Sequence, residues 1–306
     1  MDFRQLETFV EVVKLKSFSK AAQNLFLTQP TITSHIQNLE NEVGTILLNR
    51  LGKKITPTNA GEILYKHALN IINMRDMAQF DLGVYKGKIE GHLQISSSSI
   101  PRQYVLPNIL KDFIKKYPNI SFSIGDNDSR NVIENILNGK SDFGIVGAKY
   151  NSSQLEYIDL IKDELVIVTP NNNSYPLENG AIVPIEWLMN QKIILREKGS
   201  GTRLLFEKAL KKNKVSKEDL NILSFIKDTE TIKQFIELGI GISIISKRAI
   251  KRELELGIVK YYKLKNCDLI RNFYFVYHKK RQLSPLGQTF KDFVIEYIEK
   301  NFEAED

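Results

Sequence analysis

Residues 17–36 read Ser17-Phe18-Ser19-Lys20-Ala21-Ala22-Gln23-Asn24-Leu25-Phe26-Leu27-Thr28-Gln29-Pro30-Thr31-Ile32-Thr33-Ser34-His35-Ile36. Ser17 or Ser19 can cap a short helix bearing Ala21, Ala22 and Leu25, because a serine hydroxyl accepts from an orphan backbone N–H. Thr28 is placed to cap a second helix, and Pro30 suits its first turn, where no N–H is needed. Ile32, Ile36 and Leu39 carry that helix forward at three- and four-residue spacing until Gly44 stops it. Two helices joined by a tight turn, the second opening on polar residues, are the layout of a helix-turn-helix.

Outward from this stretch, Phe3, Leu6, Phe9, Val10 and Val13 have the spacing of an amphipathic helix over 3–15. Leu6, Phe9, Val10, Ala21, Ala22, Leu25, Ile32, Ile36 and Leu39 then form the core joining three helices. Ile46 to Ile55, broken by Gly52, reads as a two-stranded wing carrying Arg50, Lys53 and Lys54. Thr58 can cap a fourth helix running to about Tyr85. Leu64, Ile71, Ala78 and Tyr85 recur every seven residues on it, Ala68 and Leu82 fill the intervening seam, and Arg75 interrupts the second row. A helix about 40 Å long at 1.5 Å per residue wants a partner. Gly83, Gly87 and Gly91 mark its end and a hinge.

From His92 onward strands and helices alternate. Strands are expected at 93–95, 120–124 and 143–146, with helices at 105–116 and 132–137 between them. A second set follows: strands near 164–169, 192–195, 222–225 and 242–245, with helices at 202–211 and 232–238. The chain returns through 271–277 and ends in a helix over about 285–299. Alternation of this kind implies mostly parallel sheet. The reading is therefore α/β: a winged helix-turn-helix over 1–58, a linker or dimerisation helix over 59–89, and a two-lobed α/β effector domain over 90–306. Lobe I takes about 90–161 and 267–306, and lobe II about 162–266.

The ordered segments Ser17–Ala22, Thr28–Ile36 and Leu39-Glu40 resemble the signature of LysR-type transcriptional regulators at closely matching spacing. Leu47-Leu48-Asn49-Arg50 and Thr56-Pro57-Thr58-Asn59-Ala60-Gly61 look like that family's wing and linker-helix start. The match spans about residues 1–66. Beyond it, Leu106-Pro107, Asp142-Phe143-Gly144-Ile145 and Gly239-Ile240-Gly241-Ile242 stand where the family's effector domain, itself similar to periplasmic binding proteins, has like residues. The resemblance implies sequence-specific promoter binding, an effector in the interlobe cleft, dimers through the linker helix, and tetramers on DNA. Ser34 and His35 replace the family's usual arginine and glutamine, so the half-site cannot be carried over. With those two residues, the run Arg196-Glu197-Lys198-Gly199-Ser200-Gly201-Thr202-Arg203 looks like a branch associated with sulfur or selenium metabolism.

In a helix-turn-helix the second helix enters the major groove with its N-terminal residues at base edges. Gln29, Thr31, Thr33, Ser34 and His35 occupy the start and outer face of that helix. Gln29 can pair bidentately with adenine, and threonine methyls can touch thymine. Arg50, Lys53 and Lys54 are suited to phosphates. The plainer alternative, a solvated polar face on a small structural helix, suits an isolated helix better than one set in the full ordered signature.

Two further segments point to a ligand. Ser96–Ser99 follows the first strand of the second domain and precedes a helix, and open parallel sheets bind ligands at strand carboxyl ends. Ser98 and Ser99 are its candidate contacts. Gly199–Arg203 also precedes a helix, whose first amides favour anions, which adds Ser200, Thr202 and Arg203. Thr229, opening another helix, and Gly147 complete the set. Capping alone would account for the hydroxyls, lack of bulk for Gly147, and a neighbouring carboxylate for Arg203. The expected effector is a small oxyanion, or an amphoteric metabolite with a carboxylate.

Composition narrows the alternatives. A chain of 306 residues with net charge +7, 42% hydrophobic and 26% charged, is sized for more than one domain. Residues 1–65 hold seven Lys/Arg against six Asp/Glu, so DNA affinity depends on local placement rather than net charge. Cys267 is the only cysteine, which rules out an intrachain disulfide. No signal-peptide core follows Met1, and the expected location is the cytoplasm. There is no GxxxxGK[ST] loop or HExxH, and the histidines at 35, 67, 92 and 278 are scattered, so an enzyme is not expected, nor a cofactor or metal. A solute-binding protein would share the two lobes but not the reading head, and a promoter gel shift separates the two.

Overall fold

The computed structural model describes residues 1–50, 55–85 and 89–302. Gly52, Lys53, Lys54 and Gly87 lie outside them. The head holds α1 (Phe3–Leu15), α2 (Phe18–Asn24) and α3 (Gln29–Val43), then the hairpin of β1 (Leu48–Asn49) and β2 (Thr56–Pro57). Each helix starts on a side-chain cap: Asp2 closes a capping box with Gln5, Ser17 accepts from the Lys20 N–H, and Thr28 from the Thr31 N–H. Gly44 ends α3 in the left-handed conformation. The expected core residues are buried together, with Leu25 half-buried against them, and Leu47, Leu48, Tyr65, Ala68 and Leu69 join them.

Thr58 caps α4 (Asn59–Tyr85) by accepting from the Gly61 N–H. The helix is assigned differently from the expected seam. Ala68 is fully buried in the head core and Leu64 packs against it, because α1 lies on that face. Ile71 and Leu82 of that seam stay exposed, and Ile63 and Met74 join them in the exposed stripe. Arg75, which breaks the seam in the sequence, braces α4 to α1: it pairs with Glu7 at 2.7 Å and lies 5.0 Å from the Phe3 ring centroid. Gly83 lies within the helix rather than ending it.

The second domain runs β3 (Gly91–Ser98), α5 (Ser99–Tyr104), α6 (Leu106–Lys116), β4 (Ile120–Asn127), α7 (Ser129–Leu137), β5 (Phe143–Val146) and the long β6 (Leu155–Pro170). It continues with β7 (Ile182–Val183), β8 (Ile193–Arg196), α8 (Gly201–Lys212), β9 (Ile222–Ile226), α9 (Thr229–Glu237), β10 (Ile242–Ser246), α10 (Lys251–Glu255), β11 (Val259–Leu264), β12 (Ile270–His278) and α11 (Pro285–Phe302). The sheet order is β4-β3-β5-β12-β6-β10-β8-β9, with β11 beside β6. Two parallel sets, β4-β3-β5 and β10-β8-β9, are joined through antiparallel β12 and β6. β6 changes partner along its length, pairing with β12 through Glu164 and with β10 from Leu165. That switch is the waist between the two lobes.

The linker helix docks on lobe I. Asn70 Nδ2 donates to the Lys280 carbonyl at 3.1 Å, Asn73 Nδ2 to the Gln282 carbonyl at 2.6 Å, and the Tyr65 hydroxyl to the Asn138 carbonyl at 3.0 Å. Among the described residues no helix is long and apolar enough to cross a membrane.

Candidate functional site

The recognition helix presents a polar edge whose members are positioned by their neighbours. Gln29 is exposed at the first turn, its Oε1 accepting from the Ser19 hydroxyl at 2.8 Å, which restrains the side chain. The Thr31 hydroxyl meets Thr28 Oγ1 at 2.8 Å, and the Thr33 hydroxyl donates to the Gln29 carbonyl at 3.0 Å. Their methyl groups are therefore the parts left to offer a base. Ser34 is exposed. His35 is committed on one side, because its Nδ1 lies 2.9 Å from the buried Thr8 hydroxyl. Only its Nε2 edge is left for DNA.

Arg50 does not stand free for phosphate as expected from the sequence. It pairs with Glu40 at 2.9 Å and sits 5.4 Å from the Phe18 ring centroid. Glu40 Oε1 also accepts from the Leu47 and Leu48 N–H groups at 2.9 and 3.2 Å. One carboxylate near the end of α3 thus fixes the wing's angle to the recognition helix. We expect Gln29→Ala to spare the melting temperature and reduce discrimination at one base position, by about 1–3 kcal/mol for a lost bidentate pair. Competition gel shifts with single-base operator variants read this out, and an unchanged preference would remove Gln29 from the readout.

The second constellation is a narrow cavity of about 10 Å³ between the lobes, nearly closed by their contact and lined by Ser98, Ser99, Asp128, Ser129, Gly147, Arg196, Ser200, Gly201, Thr202 and Arg271, among others. Ser98 closes β3 and Ser99 opens α5, so the serine run is strand end rather than loop. Ser97 is turned into the sheet, donating to the Ile145 carbonyl at 3.2 Å. Ser200 precedes α8 without a side-chain capping bond, and Gly199, at φ +104°, brings it there. Gly147 faces Arg271, whose Nη1 lies 3.1 Å from where a Cβ would stand. The lobes are in contact across the cavity: Arg196 Nη2 donates to Ser99 Oγ at 3.1 Å and Tyr150 Oη to the Gly199 carbonyl at 3.1 Å.

The sequence-derived set is thus brought together at Ser98, Ser99, Gly147, Ser200 and Thr202, but not at Arg203 or Thr229. Arg203 is held away by Glu207 at 2.7 Å, donates to the Arg196 carbonyl, and stacks 4.6 Å from the Phe225 centroid. Thr229 is buried behind the lining and accepts from Arg196 Nη1 at 2.9 Å.

Arg196 and Arg271 join the cavity without any local pattern in the sequence that marks them as site residues. Both are buried, at 5% and 9% exposure. Arg196 is held by Glu197, Thr229 and Ser99, and Arg271 by Asp163, whose Oδ2 accepts from Nε at 2.9 Å. Asp128 is spent as the cap of α7, accepting from the Asn131 N–H at 2.8 Å. Two guanidinium groups among hydroxyls and helix-terminal amides suit a small anion.

A DNA-reading head, a linker helix and a two-lobed cleft on one chain define a ligand-controlled DNA-binding regulator. Residues 3–62 match the family described as "Bacterial regulatory helix-turn-helix protein, lysR family", and residues 86–299 the "LysR substrate binding domain". The chain belongs to the LysR family of transcriptional regulators, which are not enzymes. It is 30% identical to the HTH-type transcriptional activator CmpR of Synechocystis over 96% of this chain and 95% of the relative. It is 29% identical to the HTH-type transcriptional regulator CysL of Bacillus subtilis over 100% and 99%. Among solved structures, full-length OxyR of Pseudomonas aeruginosa superposes with TM-score 0.72 at 16% identity, covering 97% of both chains. The CcmR regulatory domain of Synechocystis in complex with 2-PG superposes with TM-score 0.63 at 28% identity, over 70% of this chain and 99% of that one.

Proposed function

We propose that the interlobe cavity takes a small anion, held by Ser98, Ser99, Ser200, Thr202 and the first amides of α8, with Arg196 and Arg271 supplying charge. The observation that carries this is the pair of buried guanidinium groups in a cavity whose lining also offers five hydroxyls, from Ser98, Ser99, Ser129, Ser200 and Thr202, with the one carboxylate there, Asp128, engaged as the cap of α7. Arg196 spans the lobes through Ser99, so an anion joining it changes the balance between lobe arrangements by its differential affinity. The narrower reading is an effector from sulfur or selenium metabolism, suggested by the 196–203 run. The likeness to the CcmR domain favours including 2-PG beside it.

The signal has a direct mechanical route. α7 begins at Asp128 and Ser129 in the cavity lining and ends at the linker helix. There Arg281 donates to the Ile136 and Leu137 carbonyls at 2.5 and 2.7 Å, and Tyr65 to that of Asn138. A nine-residue helix is a rod about 13 Å long, stiff enough to carry a displacement from one end to the other. The exposed stripe Ile63, Ile71, Met74 and Leu82 supports pairing of two linker helices, which would place two heads on one promoter in the cytoplasm.

A thermal-shift screen of the full chain against sulfur oxyanions, acylated amino acids and 2-PG tests the ligand class. Ser98→Ala and Thr202→Ala are each expected to remove the stabilisation, since a hydrogen bond to a charged group contributes about 1.5–3 kcal/mol. Stabilisation that persists in both variants places the ligand elsewhere. For the head, a promoter fragment must be retarded in preference to random duplex at moderate salt.

A further inference from the structure

The docked linker helix leaves a second pocket, of about 290 Å³, where the DNA head, α4 and lobe I meet. The head contributes Lys14, Lys16 and Pro57, α4 contributes Glu62, Tyr65 and Lys66, and lobe I contributes Asn138, Lys140 and Arg281. Five cations thus face one carboxylate. Among the described residues Lys14, Lys16, Lys66, Lys140 and Arg281 form no ion pair. Arg281 is the sharpest case: its guanidinium spends Nη1 and Nη2 on two carbonyls, while its Nε is buried without a partner. Asp142 acts on Arg281 only from beyond ion-pair distance; a partly buried cation without a carboxylate in contact is costly, and an anion within reach offsets that cost.

The surroundings point the same way. His278 is held near neutral charge down to about pH 4, first by burial and then by the positive field of Arg281, Lys66 and Lys280. Burial raises the Tyr65 hydroxyl to about 12, so it remains a donor.

We propose that this junction is a second ligand site, distinct from the interlobe cavity, which takes a compact polyanion of the polyphosphate class, free or carried as an ester. A monoanion would leave most of the charge unmatched, whereas three or more negative charges fit both the lysine count and the volume, room for about ten water molecules at roughly 30 Å³ each. An occupant touching head, linker and lobe I would favour the docked arrangement of all three, so it would set how far the heads can move when the cleft signals.

Calorimetric titration of the full chain with sodium tripolyphosphate, without DNA and at physiological salt, tests the site. Saturable binding at one site per chain is expected, weakened at least about tenfold in Lys66→Gln/Lys140→Gln and in Lys14→Gln/Lys16→Gln. The ligand-free melting temperatures of both variants verify that the fold is kept. Lys247→Gln/Lys251→Gln, on a separate basic surface of lobe II, is the charge control. The proposal is overturned by absence of saturable binding, by equal weakening in the control, or by full affinity in both junction variants. Binding abolished by Ser98→Ala would move the anion to the cleft. Weakened promoter binding in the junction variants with no tripolyphosphate affinity would make these lysines DNA contacts, and would equally overturn it.

Discussion

Gly61→Ala is expected to weaken specific promoter binding by roughly 100-fold while leaving effector binding by the second domain intact. Gly61 sits in the first turn of α4, where the wing crosses the linker helix. A Cβ added there would stand 2.1 Å from the Leu47 carbonyl oxygen and 3.2 Å from Pro57 Cβ. The first of these is backbone, so no rotamer change relieves it. Leu47 is tied in turn by its N–H to Glu40 and by its carbonyl to the Thr58 N–H at 2.9 Å. The methyl group must therefore lever the wing from α4 or break the Glu40 anchor that sets its angle to the recognition helix. Overpacking costs typically 1–3 kcal/mol, and an unyielding backbone contact belongs at or above the upper end. About 3 kcal/mol placed on the binding-competent geometry corresponds to a loss of roughly 100-fold in promoter affinity. Gel shifts measure that loss, and a thermal shift with the effector verifies that the second domain still folds and binds. Promoter affinity within threefold of the unsubstituted protein, a bound set at about 0.65 kcal/mol, would show that the wing yields freely and does not depend on this contact.

The head was legible because its signals are local. Caps at Ser17 and Thr28, Pro30 in a first turn, Gly44 after a periodic run and Thr58 before another each act within one helical turn, and each reappears in the structure. What sequence reading lost depends on partners far apart in the chain. Ala68 has the spacing of a coiled-coil seam, yet α1 claims that face. Arg50 has the place of a phosphate contact on the wing, and its second tie, to Glu40 near the end of α3, is not written in the wing's own sequence. β11 was not recognised because its pattern of burial depends on pairing with β6, about ninety residues earlier.

The same reason hid the cavity's cations. Arg196 stands at the end of a buried apolar strand, Ile193-Ile194-Leu195, and Arg271 opens another beside Phe273 and Phe275. A charge inside a buried run is itself a signal, since an unpaired guanidinium would not be tolerated there. The serines and glycines were found because they cluster in sequence. The arginines do not, and although Arg196 pairs with its neighbour Glu197, the contacts that place the two in the cleft, to Ser99 and Asp163, lie 97 and 108 positions away.

Asp163→Asn is expected to give the larger stability effect of the two. Asp163 has 0% side-chain exposure and Arg271 6%, and the two are register partners at the waist where β6 and β12 pair. The carboxylate is shared: Oδ2 lies 2.9 Å from both Nε and Nη2 of Arg271, and Oδ1 accepts from the Ser246 hydroxyl at 2.5 Å. Asparagine keeps the shape but leaves the guanidinium buried without a counter-charge. Removing one partner of such a pair costs about 3–5 kcal/mol, which for a domain of this size lowers the melting temperature by roughly 6–20 °C. Because Arg271 also lines the cavity, an anionic effector bound there would take over part of the missing charge. The stabilisation produced by saturating effector should then be greater in Asp163→Asn than in the unsubstituted protein, whereas simple loss of packing would leave it equal or smaller. If the variant melts within about 2 °C of the parent, less than the shift for 1 kcal/mol, the pair carries no such weight. If it melts low but gains no extra effector stabilisation, Arg271 does not face the ligand, and the anion would be left to Arg196 and the α8 amides alone.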